Sequence, residues 1–334
     1  MLSFLFLFPS FLPGQTPPGK PDSIRVLRVS LENSSSHIQT RTVLAFASEV
    51  ENRLQGSLRV EVIPESRMFR DRDILNALQG GKIEMGVPGM WNLEPDLPEL
   101  GAFLLPFMFG RSEDDYHLLS DGAAGTAINS SLEKKYHVRV LGPWLDLGHS
   151  LIFTTDRSVK GPSDFRDLLV RVAGGKANEL RVRALGGRGV TIPWTELPER
   201  LGNRIVDGVL TTYETVRSGE LWRYGLRYAY EDRQYFAMYL PIVSRTFWDR
   251  LSPREREVLR SAWETAAARQ RIEARNVQIE AKNVFIEKGG KVVIPDAGVI
   301  KATRDLLMKS QNAMAEELGI PADLVRLMEF PPAP

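Results

Sequence analysis

Residues 252 to 290 constrain this chain more than any other stretch. Ser252, Pro253 and Glu255 supply a helix N-cap, a first-turn proline and the acid of a capping box. No glycine or proline follows until Gly289, which with Gly290 is the expected stop. The spacing predicts one helix over 253–288, about 36 residues or roughly 54 Å at 1.5 Å per residue. Its apolar stripe is split. Val258, Leu259, Ala262, Trp263 and Ala266 mark one end, and Val277, Ala281, Val284 and Phe285 mark the other, with charged "RQRIEARN" between them. A helix packed at both ends and wet in the middle suits a bridge between two domains. A long surface or coiled-coil helix is the other reading of that pattern.

A chain of 334 residues, 43% apolar and 25% charged, has room for two ordinary cores. In the first half, alternation predicts strands at 24–31, 58–63 and 83–87, with helices at 38–50 and 73–78 between them. This βαβαβ order implies a parallel sheet. The proline- and aromatic-rich stretch 88–110 is expected to form no regular helix and to wall a cleft. Helices at 114–119 and 123–136 and a strand at 138–141 complete this half. The second half opens with a strand at 150–155 and an α/β unit over 165–212, whose strands fall at 168–172, 190–192 and 205–210. A helical stretch at 213–224 and one long strand at 234–243 precede the bridging helix. A strand at 291–294 and a helix at 297–318 follow it.

Several chemistries are excluded by what the chain lacks. The absence of cysteine removes thiolate metal sites, thiol catalysis and disulfides. The four histidines, His37, His117, His137 and His149, are scattered singly, and no HExxH, GxSxG, Walker or GxGxxG pattern occurs. No metal or cofactor is therefore expected, and an enzyme would need an acid/base site that the sequence does not assemble. A formal net charge of +1 gives no general attraction to nucleic acid. Residues 2–12 are almost wholly Leu, Phe and Pro, the length of a secretory apolar region, although no Lys or Arg precedes Lys20. The expected reading of 1–22 is a signal or a disordered start.

Binding groups are better represented. Arg171 lies between Val170 and Val172 on a strand, so it faces away from the layer the valines bury in. Its guanidinium matches a carboxylate, and spacing alone fits either a solvent-facing residue or a ligand clamp. Trp194 could cover a ligand or pack a helix start. Thr211 and Thr212 end a strand, where they could bond a ligand or cap the next helix.

The segments "PSDFRDLLVRV", "RALGGRGVTIPWTEL" and "GNRIVDGVLTT" resemble the solute-binding proteins of tripartite ATP-independent periplasmic (TRAP) transporters, of the C4-dicarboxylate-binding type. So do "VLAFASEVENRLQGSLRVEVIPESRMF", "ALQGGKIEMGV" and "LLPFMFG". The resemblance covers about 24–293. It implies an α/β, two-domain periplasmic-binding-protein clamshell with a long helix spanning both lobes. The expected domains are 24–148 plus 234–270 and 149–233 plus 271–329. It also implies a periplasmic receptor that captures a small organic acid and delivers it to membrane permease subunits. A sensor receptor for a signalling partner is the alternative.

The family's carboxylate-pairing arginine falls on Arg171, and its ligand-wall aromatic on Trp194. This chain has Thr211 where many members carry asparagine, Ser150 where a second arginine is common, and Asp167 where glycine is usual. With one arginine rather than two, a monocarboxylate is expected. Aromatic and apolar candidates for the rest of the cleft are Trp91, Tyr213, Trp222 and Met238.

Overall fold

A computed structural model describes residues 24–329. Residues 1–22, read as a signal or a disordered start, lie outside those described. Among the described residues, eleven strands form two sheets. The first comprises β1 (Arg25–Ser30), β2 (Leu58–Ile63), β3 (Met85–Gly86), β4 (Val138–Val140) and β10 (Ile242–Ser244), in the order β2-β1-β3-β10-β4. The second holds β5 (Leu145–Thr154), β6 (Leu169–Val172), β7 (Arg188–Thr191), β8 (Gly208–Thr211), β9 (Tyr228–Tyr239) and β11 (Lys291–Val293), in the order β11-β9-β5-β8-β6-β7.

β1 pairs in parallel with both β2 and β3, the arrangement that βαβαβ connectivity requires. β10 then runs antiparallel beside β3 and β4, so the sheet is mixed. The long strand expected over 234–243 is two strands of different sheets. Pro241 lies between them, where a residue without an N–H costs neither ladder a bond. The chain thus crosses between the sheets at 141–144, at 240–241 and again between β10 and β11 through the long helix.

The bridging helix runs Pro253–Glu287, with the Ser252–Glu255 capping box formed and Gly289 at φ 88 beyond its end. Trp263 packs edge-on against Phe46, which belongs to the helix Ile38–Leu54 beside the first sheet. At the other end Phe285 meets Phe153 and Tyr213 in a second core cluster. The middle is wet on its outer face, where Arg269, Arg275 and Asn276 are exposed, but not all round. Gln270 and Ala274 are buried there, and Gln270 accepts from Asp146 N at 2.9 Å and donates to Asp146 O at 2.5 Å. A buried amide satisfied at both ends continues the stripe where apolar residues stop.

Three other elements differ from the expected ones. The segment 88–110 folds as short helical turns, Met90–Leu93, Pro98–Leu104 and Pro106–Met108, and is mostly core. The helix expected over 213–224 stops at Ser218, and a separate turn, Leu221–Tyr224, follows. The helix expected over 297–318 breaks into Ala297–Met308 and Gln311–Leu318. There Ser310 Oγ bonds the Leu307 carbonyl, competing with the main chain. Asp167 has φ 65, a left-handed conformation that glycine takes freely and Asp tolerates.

Candidate ligand-binding site

The valines flanking Arg171 are fully buried in the core, and alternation turns the arginine to the opposite face of β6. That face is not solvent. Arg171 is only 2% exposed, and it lines a cavity between the two sheets. Its Nε donates to the Ile192 carbonyl at 2.9 Å, the one hydrogen bond this side chain makes among the described residues. Burial pulls its pKa down to about 10, against the pull of the Glu32 carboxylate, so it stays charged at neutral pH.

Of the eight residues predicted from sequence, five line this cavity: Arg171, Trp194, Thr211, Ser150 and Trp91. Ser150 is opposite Tyr235 in the β5–β9 register, and both line the cavity. Thr211 ends β8, while the capping role belongs to Thr212, whose Oγ1 accepts from Thr215 N at 3.3 Å. Trp194 does two jobs. It lines the cavity and lies so close to Gly219 that a Cβ there would fall 2.6 Å from the ring. Trp91 stacks edge-on with Tyr239 at 5.5 Å, and its buried Nε1 has no partner among the described residues.

The other three lie elsewhere. Tyr235, Ala237 and Tyr239 of β9 face the cavity, so Met238, one residue out of step, points into the core on the opposite face. Tyr213 donates to Glu231 at 2.8 Å and lines a separate space beneath the long helix. Trp222 packs on the second core cluster.

The first sheet contributes groups that the sequence reading missed. Glu32, just past β1, and Asp71 line the cavity with Asn33 and Asn92. Strand ends carry the ligand groups of α/β sheets, a rule that applied to β1 would have flagged Glu32. Glu32 Oε2 accepts from Asp71 N at 3.1 Å, and Asp71 Oδ2 accepts from Gly89 N at 2.9 Å. Burial and the neighbouring Glu32 charge push the Asp71 carboxyl well above its usual range. Burial also raises Glu32, opposed by the Asp71 N–H and by Arg171, Arg70 and Arg72. Asp71 Oδ1 is buried without a partner among the described residues.

A cavity between two sheets, walled by aromatics and holding one buried guanidinium, is built to bind. The profile of the family described as bacterial extracellular solute-binding protein, family 7, matches residues 29–317. The chain belongs to that family. The C4-dicarboxylate-binding periplasmic protein DctP of Rhodobacter capsulatus is 26% identical over 285 residues, covering 82% of this chain and 81% of that one. The sugar acid binding protein DctPAm of Advenella mimigardefordensis, solved with galactonate, has a TM-score of 0.85 at 20% identity, covering 91% of this chain and 96% of that one. A TRAP periplasmic solute-binding protein of Shewanella oneidensis, solved with succinate, has a TM-score of 0.84 at 23% identity, covering 92% and 98%. The family is one of solute-binding receptors, and the two-sheet α/β fold is shared with these structures.

Proposed function

We propose that this receptor captures a small organic acid outside the cytoplasm and hands it to the membrane permease subunits of a TRAP-type transporter. The observation that carries the reading is Arg171: a buried cation in a cavity, fixed at Nε by Ile192. The galactonate and succinate of the two solved relatives are both carboxylates, which supports the same class of ligand here. The absence of a second arginine at Ser150 favours a monocarboxylate. No catalytic step is assigned to the cavity.

One charge-assisted contact contributes about 1.5–3 kcal/mol, while micromolar affinity needs roughly 8 kcal/mol. Burial of the ligand against Trp91 and Trp194 supplies much of the remainder, with Ser150 and Thr211 as hydroxyl partners. The lobes act as a clamshell because the ligand touches groups of both sheets, and so binds the closed state better than the open one. A calorimetric screen of monocarboxylates, dicarboxylates and sugar acids tests the reading. Binding of neutral compounds alone would sink it.

A further inference from the structure

The carboxyl groups opposite Arg171 restrict the ligand further, on the premise that the organic-acid reading holds. Glu32 follows β1 of the first sheet, Asp71 opens a helical turn between β2 and β3, Arg171 lies on β6 of the second sheet, and all three line one cavity. Asp71 is 2% exposed, and its Oδ1 is aimed at no protein donor among the described residues. An unpaired carboxyl oxygen in such a place costs desolvation energy unless a ligand donor meets it.

Charge decides what kind of donor. Glu32 and Asp71 set two neighbouring carboxyl groups against the single buried guanidinium of Arg171, and burial, joined for Asp71 by the Glu32 charge, raises both above their usual range. A dicarboxylate would add two buried negative charges and a hydroxy acid one. A ligand carrying one carboxylate and one cation adds none, which is the arrangement burial tolerates. Arg70 and Arg72 line an adjoining outer space and also act on the Glu32 carboxylate, but they lie outside the cavity that holds Arg171 and Asp71, and Arg72 is exposed, where water screens it. Trp91 and Tyr239, stacked edge-on beside the acids, also offer the aromatic faces that cations favour.

We propose that the ligand is zwitterionic: its carboxylate pairs with Arg171, and an ammonium or similar cationic donor pairs with Glu32 and the free oxygen of Asp71. The site is thus a reader of both charges rather than of the carboxylate alone.

The test uses acids of three to six carbons in matched sets, each skeleton bearing an ammonium, a hydroxyl or a second carboxylate, titrated calorimetrically into the full chain. The tightest-binding skeleton should favour its ammonium member by at least tenfold. Glu32→Gln, which keeps an oxygen to accept the Asp71 N–H, should erase that preference, and Asp71→Asn should reduce it. Equal or tighter binding of the hydroxyl or carboxylate member, lost in Arg171→Ala, overturns this proposal and leaves the organic-acid reading standing. A preference that persists in Glu32→Gln also overturns it. Silence of every set overturns both.

Discussion

Arg171 Nε donates to the carbonyl of Ile192 at 2.9 Å, so the residue just past β7 aims the guanidinium of β6. Lysine has one point charge and no second nitrogen to make that bond. Arg171→Lys should therefore keep the charge yet weaken acid binding by tenfold or more, about 1.4 kcal/mol. Calorimetry on the variant checks this, and unchanged affinity would mean that charge alone suffices.

Gln270 joins the bridging helix to β5 by two hydrogen bonds to Asp146. Gln270→Ala strands a buried N–H and a buried C=O, each costing about 1–3 kcal/mol. The expected loss of stability is about 2–4 kcal/mol, read from urea unfolding. A loss under 0.5 kcal/mol would show that the middle of the helix is dispensable.

Gly219 leaves room for the Trp194 ring. Gly219→Ala should displace that ring from the cavity wall. The tryptophan emission should shift, and affinity for the bound acid should fall more than stability does. An unshifted spectrum with native affinity would remove Trp194 from the wall.

Burial shifts several groups, Asp71 and Glu32 among them, and four more bear on the pH response near neutrality. Burial raises Asp232 from 3.8 to about 8 and Glu94 from 4.5 to about 7. The folded state keeps these protons after the unfolded chain has shed its own. Their stabilisation is full below the unfolded values and is lost as pH rises through 7 and 8. Burial lowers His37 to about 3 and His149 to about 4, so their contribution is full above 6.5 and lost on acidification toward those values. Between pH 6.5 and 8 the two acids dominate, and stability should fall. Asp232→Asn should flatten that slope by up to about 1.4 kcal/mol per pH unit. Melting temperatures at pH 6.5, 7.2 and 8 check it, and equal slopes in both proteins would contradict it.

Local signals were legible in the sequence. The capping box of Ser252 and Glu255 and the stop at Gly289 lie where the residues alone put them, because caps depend on neighbours three or four positions away. Burial of Gln270 was not legible, since its partner Asp146 is 124 residues distant. Sheet membership of residues 234–243 was hidden for the same reason: strand pairing is non-local, and only Pro241 hinted at the break. Met238 was misplaced by the parity of one strand, where a single step moves a side chain to the other face. Glu32 and Asp71 carry no motif, and their importance comes from folding two sheets around one arginine.

The most direct test of the account is calorimetric titration of small organic acids into the wild-type chain and into Arg171→Ala. The account predicts that at least one carboxylate binds the wild type and that the variant loses at least tenfold of that affinity while unfolding as a cooperative native protein. A carboxylate bound equally well by both proteins would contradict it.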